Sequence, residues 1–214
     1  MKHYRTGFTL AEVLITIGII GVVAAMTLPT VIQHHRKQVI ETKLKKAASI
    51  INQTLQRARI DYDDDGNPWA NREPFVHNDP DIALEMFNKY YAPYMKLVKV
   101  EKTQKGVVAY MPDGIGIYFR KRCTDSGAWG CVLHVICIDT KACENIDESK
   151  STEQIINGKD IFVINTNGNT TSGMTNMTHE EIIESCKNHT KEFSCTYLIS
   201  SNGWKIPKDY PLKF

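Results

Sequence analysis

Between Phe8 and Ile32 the chain has one charged side chain, Glu12, in 25 residues. A stretch so poor in charge needs an apolar surrounding. At about 1.5 Å per residue, a helix of that length exceeds the roughly 30 Å hydrocarbon core of a bilayer. Cysteine is missing from the first 122 residues, and nowhere does a Cys-x-x-Cys pair occur with paired histidines. The six cysteines therefore do not read as zinc ligands, and no metal is expected on them. Also absent are Gly-x-Ser-x-Gly, His-Glu-x-x-His, a phosphate-binding loop and a dinucleotide fingerprint. No hydrolase, kinase or oxidoreductase class is indicated, so the chain is expected to be no enzyme and to carry no cofactor.

What is present divides the chain electrically. Residues 1–60 carry nine Lys or Arg against two Asp or Glu, a net +7. Residues 61–214 carry seventeen against twenty-two, a net −5. The acidic part holds all six cysteines, Cys123, Cys131, Cys137, Cys143, Cys186 and Cys195, an even count that fits a disulfide framework in an oxidising compartment. Cys186 and Cys195 close a short loop and are expected to be bonded. The other four leave their connectivity open, with Cys123–Cys131 and Cys137–Cys143 as the expectation.

A carboxylate near the start of a membrane segment costs roughly 2.5–3.5 kcal/mol, so Glu12 needs a function and a partner. Before the apolar run stand Lys2, Arg5 and a small Gly7; Gly18, Gly21 and Pro29 lie within it. Small residues allow close contact between membrane helices, and proline is better tolerated there than in a soluble helix. Ala24-Ala25-Met26 offers a weak secretory cut site. Arg36, Lys37, Lys43, Lys45 and Lys46 outnumber the two basic residues before the run, which by charge alone would place the carboxyl side in the cytoplasm. The exported-type cysteines argue the reverse.

Gly7-Phe8-Thr9-Leu10-Ala11-Glu12, the basic leader before it and the proline at position 29 resemble the amino-terminal signature of type IV pilins and type II secretion pseudopilins. The resemblance implies that a membrane aspartyl peptidase, the prepilin peptidase, cuts between Gly7 and Phe8, and that the new amine of Phe8 is methylated. It further implies that Glu12 acts in assembly and that the helix partly unwinds between Gly21 and Pro29 in a filament. The implied location is the bacterial inner membrane, single-pass with the carboxyl-terminal domain outside the cytoplasm, then a periplasmic or extracellular filament. Implied partners are other pilin or pseudopilin subunits, the peptidase, an inner-membrane assembly platform driven by an ATPase, and membrane lipid. A structural subunit of a pseudopilus or pilus, minor rather than major, is the expected function. An adhesin or DNA-uptake pilin is the alternative, although the −5 domain argues against nucleic acid. A simple anchored calcium-binding domain is a third reading.

Beyond Pro29 the pattern becomes amphipathic. Ile40, Leu44, Ala47, Ile51, Leu55 and Ala58 recur at steps of three and four, which traces one helical face. The expected organisation is a leader over 1–7, an apolar assembly helix over 8–32, the amphipathic half of the same helix over 33–60, and a globular domain over 61–214. In that domain Asp79-Pro80 opens a short aromatic helix. Val107–Met111 and Ile115–Lys121 form a hairpin about Pro112-Asp113-Gly114. Val132–Ile138 and Asp160–Asn165 read as strands flanking a polar loop, Thr140–Lys159. Thr178 to Glu181 is a capping box that starts a helix running to about Cys186. Cys195–Ser201 and Trp204–Ile206 read as a strand pair turning at Asn202-Gly203. The order of Pro112 to Gly114, Ile138-Asp139, Gly158 to Phe162, Cys186, Cys195 and Gly203 to Pro211 resembles the globular domains of pseudopilin-like proteins. Thr140-Lys141 departs from the Asn-Gly those relatives carry. The expected fold is α+β and pilin-like: a long amino-terminal helix packed on an antiparallel sheet, with short extra helices and disulfide-stapled loops.

Asp61, Asp63, Asp65 and Gly66 occupy positions one, three, five and six of a calcium loop. Arg72 stands where the closing bidentate Glu belongs, and Glu73 is one residue late. So few protein oxygens would hold calcium no better than roughly 10⁻⁴–10⁻³ M. Calorimetric titration is expected to show no tight site; a micromolar site abolished by Asp63→Ala would overturn this reading.

Overall fold

The structure, a computed structural model, describes residues 9–62, 80–121, 132–165, 174 and 176–214. It divides into two compact units, one over residues 1–39 with Phe214 and one over 40–213. A single helix, α1 (Leu10–Asp61), contributes to both. In the first unit, every large apolar side chain from Leu10 to Ile32 is exposed, Leu10 by 78 % and Ile20 by 66 %.

In the second unit α1 behaves as an amphipathic element. Ile40, Leu44, Ala47, Ile51, Leu55 and Ala58 are all buried, joined by Ala48 and Thr54, so the stripe read from periodicity is the stripe that meets the core. Its partner is a five-stranded antiparallel meander in the order β1 (Lys99–Thr103), β2 (Gly106–Tyr110), β3 (Gly116–Lys121), β4 (Val132–Cys137), β5 (Ile161–Asn165). Polar anchors fix α1 on the sheet: Lys43 Nζ donates to the Ile138 carbonyl at 2.7 Å, and Lys46 pairs with Asp113 at 2.6 Å.

Strands β2 and β4 are buried along their whole length, so both sheet faces are covered. Register places Val107, Ala109, Ile117, Phe119, His134 and Ile136 on the α1 face. Helix α2 (Pro80–Tyr90) adds Phe87, and Tyr91 follows it; the Tyr91 ring lies 4.5 Å from that of Phe119. The Tyr91 hydroxyl and His134 Nε2 are 3.0 Å apart and fully buried, and burial pushes the Tyr91 phenol up. The aromatic stripe of α2 is therefore core. The other face carries Val108, Tyr118, Leu133, Val135 and Val163, packed with Ile155, Ile156 and Phe193.

The hairpin about Pro112 forms as its sequence dictates. Gly114 N–H donates to Met111 O at 3.0 Å, and Gly114 takes φ +78, the left-handed position that completes a type I turn. At Gly106 a Cβ would sit 2.0 Å from the Phe119 carbonyl oxygen, so only glycine lets these strands approach.

Three local readings are corrected. First, β1 is a strand that the sequence did not announce, because Lys99-Val-Glu-Lys-Thr is charged and the two turn residues, Gln104 and Lys105, carry no turn signature. Its charges suit an edge strand. Second, Thr140–Lys159 is no plain polar loop: it holds α3 (Thr140–Glu144), capped by Asp139 accepting from Ala142 N–H at 2.9 Å, and α4 (Thr152–Ile155). Third, the final strand pair is absent, and Ser194–Ser201 is helix α6.

The β-branched residues of that last segment suggested a strand, but Cys195, Leu198 and Ile199 are buried together at helical spacing. Asn202-Gly203 is a helix stop instead of a hairpin turn. Gly203 N–H donates to Ser200 O at 3.2 Å and Trp204 N–H to Ile199 O at 2.9 Å, the paired bonds of a Schellman cap. The Cys186–Cys195 disulfide thus joins two helices, α5 (His179–Asn188) and α6, with Cα atoms 4.7 Å apart. Cys137 and Cys143 are also bonded, tying β4 to α3. Cys123 and Cys131 lie outside the described residues.

Leu44 is completely buried at the centre of the α1 stripe. Leu44→Ala is expected to lower stability by about 2–5 kcal/mol, read by denaturant unfolding.

Candidate functional site

The motif residues that the structure describes begin at Thr9. Its backbone N–H donates to Glu12 Oε2 at 2.8 Å and its hydroxyl to the same oxygen at 2.7 Å. In return Glu12 N–H donates to Thr9 Oγ1 at 3.2 Å. This reciprocal arrangement is a capping box, which satisfies two of the orphan donors at the start of a helix. The Glu12 charge also lies in the first turn, where the helix dipole favours an anion. Within one chain, then, Glu12 already has a partner. Sequence reasoning gave Thr9 no role of its own, although Thr-x-x-Glu before an apolar run is the recognised signature of such a cap. Gly7 and Phe8 lie outside the described residues.

Behind the cap, α1 is long and apolar enough to cross a membrane, and its apolar window is wholly unburied in the chain. Thr16 and Thr27 hide their hydroxyls by donating to Val13 O at 2.9 Å and Val23 O at 3.0 Å. That is how a polar side chain survives in lipid. A Cβ added at Gly18 or Gly21 would meet nothing within 4 Å. These glycines are therefore not required by packing inside the chain, and their smallness is available to a neighbour. Helix α1 runs unbroken through Pro29, whose ring removes one donor from the ladder.

Glu12 opens this apolar segment, Gly21 lies in its middle and Pro29 near its end, all on one element. The disulfides belong to the globular unit and take no part in this site. At the other end of α1, the Asp61 carboxylate accepts from the Tyr94 hydroxyl at 2.5 Å. The first position of the calcium-like loop is thus engaged by a phenol; Asp63, Asp65, Gly66 and Arg72 lie outside the described residues.

Two matches with known families coincide with these parts. Residues 2–28 match the prokaryotic N-terminal methylation motif, the prepilin-type motif of type IV pilins and pseudopilins. Residues 30–178 and 163–214 match a family of unknown function (DUF6613). No curated protein and no solved structure matches the chain.

The Tyr94 phenol is pushed up to about 12, chiefly by its hydrogen bond to Asp61. Only the protonated phenol can donate, so this bond stabilises below the ordinary tyrosine range and is lost as pH rises through the folded value. Ultraviolet titration of Asp61→Asn is expected to show Tyr94 ionising nearer 10.

Proposed function

We propose a structural role for this chain, which belongs to the family of unknown function DUF6613 and, by its methylation motif, is a type IV pilin-like or pseudopilin protein. The proposed role is that of a filament subunit, minor rather than major, in a type II secretion pseudopilus or a type IV pilus, with no enzymatic activity. The observation that carries it is the exposed apolar helix from Leu10 to Ile32, which opens on a capped carboxylate and directly follows the cleavage motif. A helix so apolar is stable only in lipid or among like helices. The motif implies contact with other pilin subunits and with the prepilin peptidase, and the helix is consistent with an inner-membrane anchor.

The proposed sequence of events follows from the charges. Cutting between Gly7 and Phe8 removes Lys2 and Arg5 and creates an amine at Phe8, one residue before the cap. In monomers Glu12 is held by Thr9. In a filament its carboxylate would face the methylated amine of Phe8 on a neighbouring subunit, where two charges that are each costly in low dielectric offset one another. Gly21 and Pro29 would let the helix loosen between them as subunits pack.

Intact-mass measurement on protein from the native host is expected to give a chain beginning at methylated Phe8. A mature form that retains Met1–Gly7, or that lacks the whole apolar run, would sink the proposal. Glu12→Leu is expected to be cut normally yet to enter filaments poorly; wild-type incorporation would count against the pairing.

A further inference from the structure

We infer that the outward face of α1 in the globular unit docks the acidic domain of a second copy of this chain. The inference rests on the filament reading and adds to it a surface and a partner. Where α1 turns its apolar stripe to the sheet, its opposite side borders a groove of about 510 Å³ that ends at the turn Gly203–Lys205. Ile50 and Trp204, both half-buried, are its large apolar members, and Lys45, Lys46 and Lys205 stand around them.

Two features mark this groove as more than a solvated helix face. Trp204 sits at φ 65, a left-handed conformation that is a rare outlier for so bulky a residue. The Schellman cap holds it there and leaves the indole at the groove. Aromatic side chains beside cations are the composition of interface anchors. The second feature is unspent positive charge. Glu41 is committed inside the unit, accepting from Lys205 Nζ at 2.7 Å and from Ile206 N–H at 2.9 Å, and Lys46 is taken by Asp113. Lys45 is exposed and has no carboxylate partner among the described residues.

The complementary charge is on the same chain. Residues 61–214 carry the −5 balance. Across the sheet from α1, Glu144 and Glu148 edge a cleft of about 120 Å³ that Tyr110 and Tyr118 also line. Glu101 in that cleft is paired with Lys99 at 2.6 Å, and Glu148 accepts from Gln104 N–H at 2.9 Å. Glu144 is exposed and has no ion pair among the described residues. Groove and cleft are unlike surfaces on opposite faces of one sheet. Each copy can therefore engage one neighbour with its groove and another with its cleft. Such a head-to-tail contact propagates into an open assembly unless its rotation happens to close.

The test uses two differently tagged copies of the full chain in membranes of the native host, reading the fraction that co-purifies. Lys45→Glu and Glu144→Lys are each expected to lower it about tenfold, the scale of one reversed contact charge, and the double reversal to restore it. All three variants should be cut after Gly7 as wild type is. Wild-type co-purification by either single variant overturns the docking surface while leaving the filament reading in place. A double reversal no better than the singles overturns the pairing of these two faces. If wild-type copies do not co-purify at all, or the chain is not cut after Gly7, both readings fall. Loss of binding to anionic phospholipid vesicles by Lys45→Glu, with co-purification unchanged, would assign the face to lipid and overturn the inference.

Discussion

The globular unit depends on the burial of one helical stripe. From Ile40 to Ala58, α1 presents an apolar face at steps of three and four, and each of those side chains is withdrawn from water. Burying a large aliphatic side chain contributes about 1.5–3 kcal/mol, so Ile40, Leu44, Ile51 and Leu55 together outweigh any single polar contact in the unit. The sheet is shaped by the same need. A meander with β2 and β4 buried on both faces requires two covers, and α1 with α2 forms one of them. The short helices α3 and α4 with Phe193 supply the other. The Lys43 and Lys46 anchors then set where the stripe rests, for hydrogen bonds are directional while apolar burial is not.

The same helix carries the opposite solution in its first half. There the apolar side chains are left outside, and the few polar groups are turned inward on the backbone: Thr9 to Glu12, Thr16 to Val13, Thr27 to Val23. The capping box lets one motif serve two states. It satisfies Glu12 when the chain is alone, and it holds the carboxylate by bonds that a stronger partner, a full positive charge, could replace. A side chain with an internal alternative can wait for assembly without destabilising the monomer.

Much of the site was legible because its signals are local. The single charge in the apolar run, Gly7 before Phe8, and the proline at 29 are sequence facts, and the methylation motif matches residues 2–28. The stripe of α1 was legible because a long helix repeats its period often enough to exclude chance. The capping role of Thr9 was legible too, but the motif was taken for its cleavage chemistry and its geometry was passed over. The edge strand β1 was not legible: charged side chains suit an edge, yet they remove the alternation by which a strand is recognised.

The sequence by itself determined the division of labour, an apolar helix start, an amphipathic continuation and an acidic, cysteine-bearing domain of α+β type. Periodicity, charge and breakers are properties of neighbouring residues, so no distant contact can alter them. Only tertiary structure decided how the ambiguous segments resolved. Asn202-Gly203 can close a hairpin or end a helix with equal ease; it ends α6 because Cys195 is bonded to Cys186 and Leu198 and Ile199 are drawn into the core at helical spacing. Asp139 and Gln154 became helix caps because the sheet face beneath them needed Ile155 and Ile156 as cover. Where propensity is nearly balanced, the burial available in three dimensions is the larger energy, and it chooses the state.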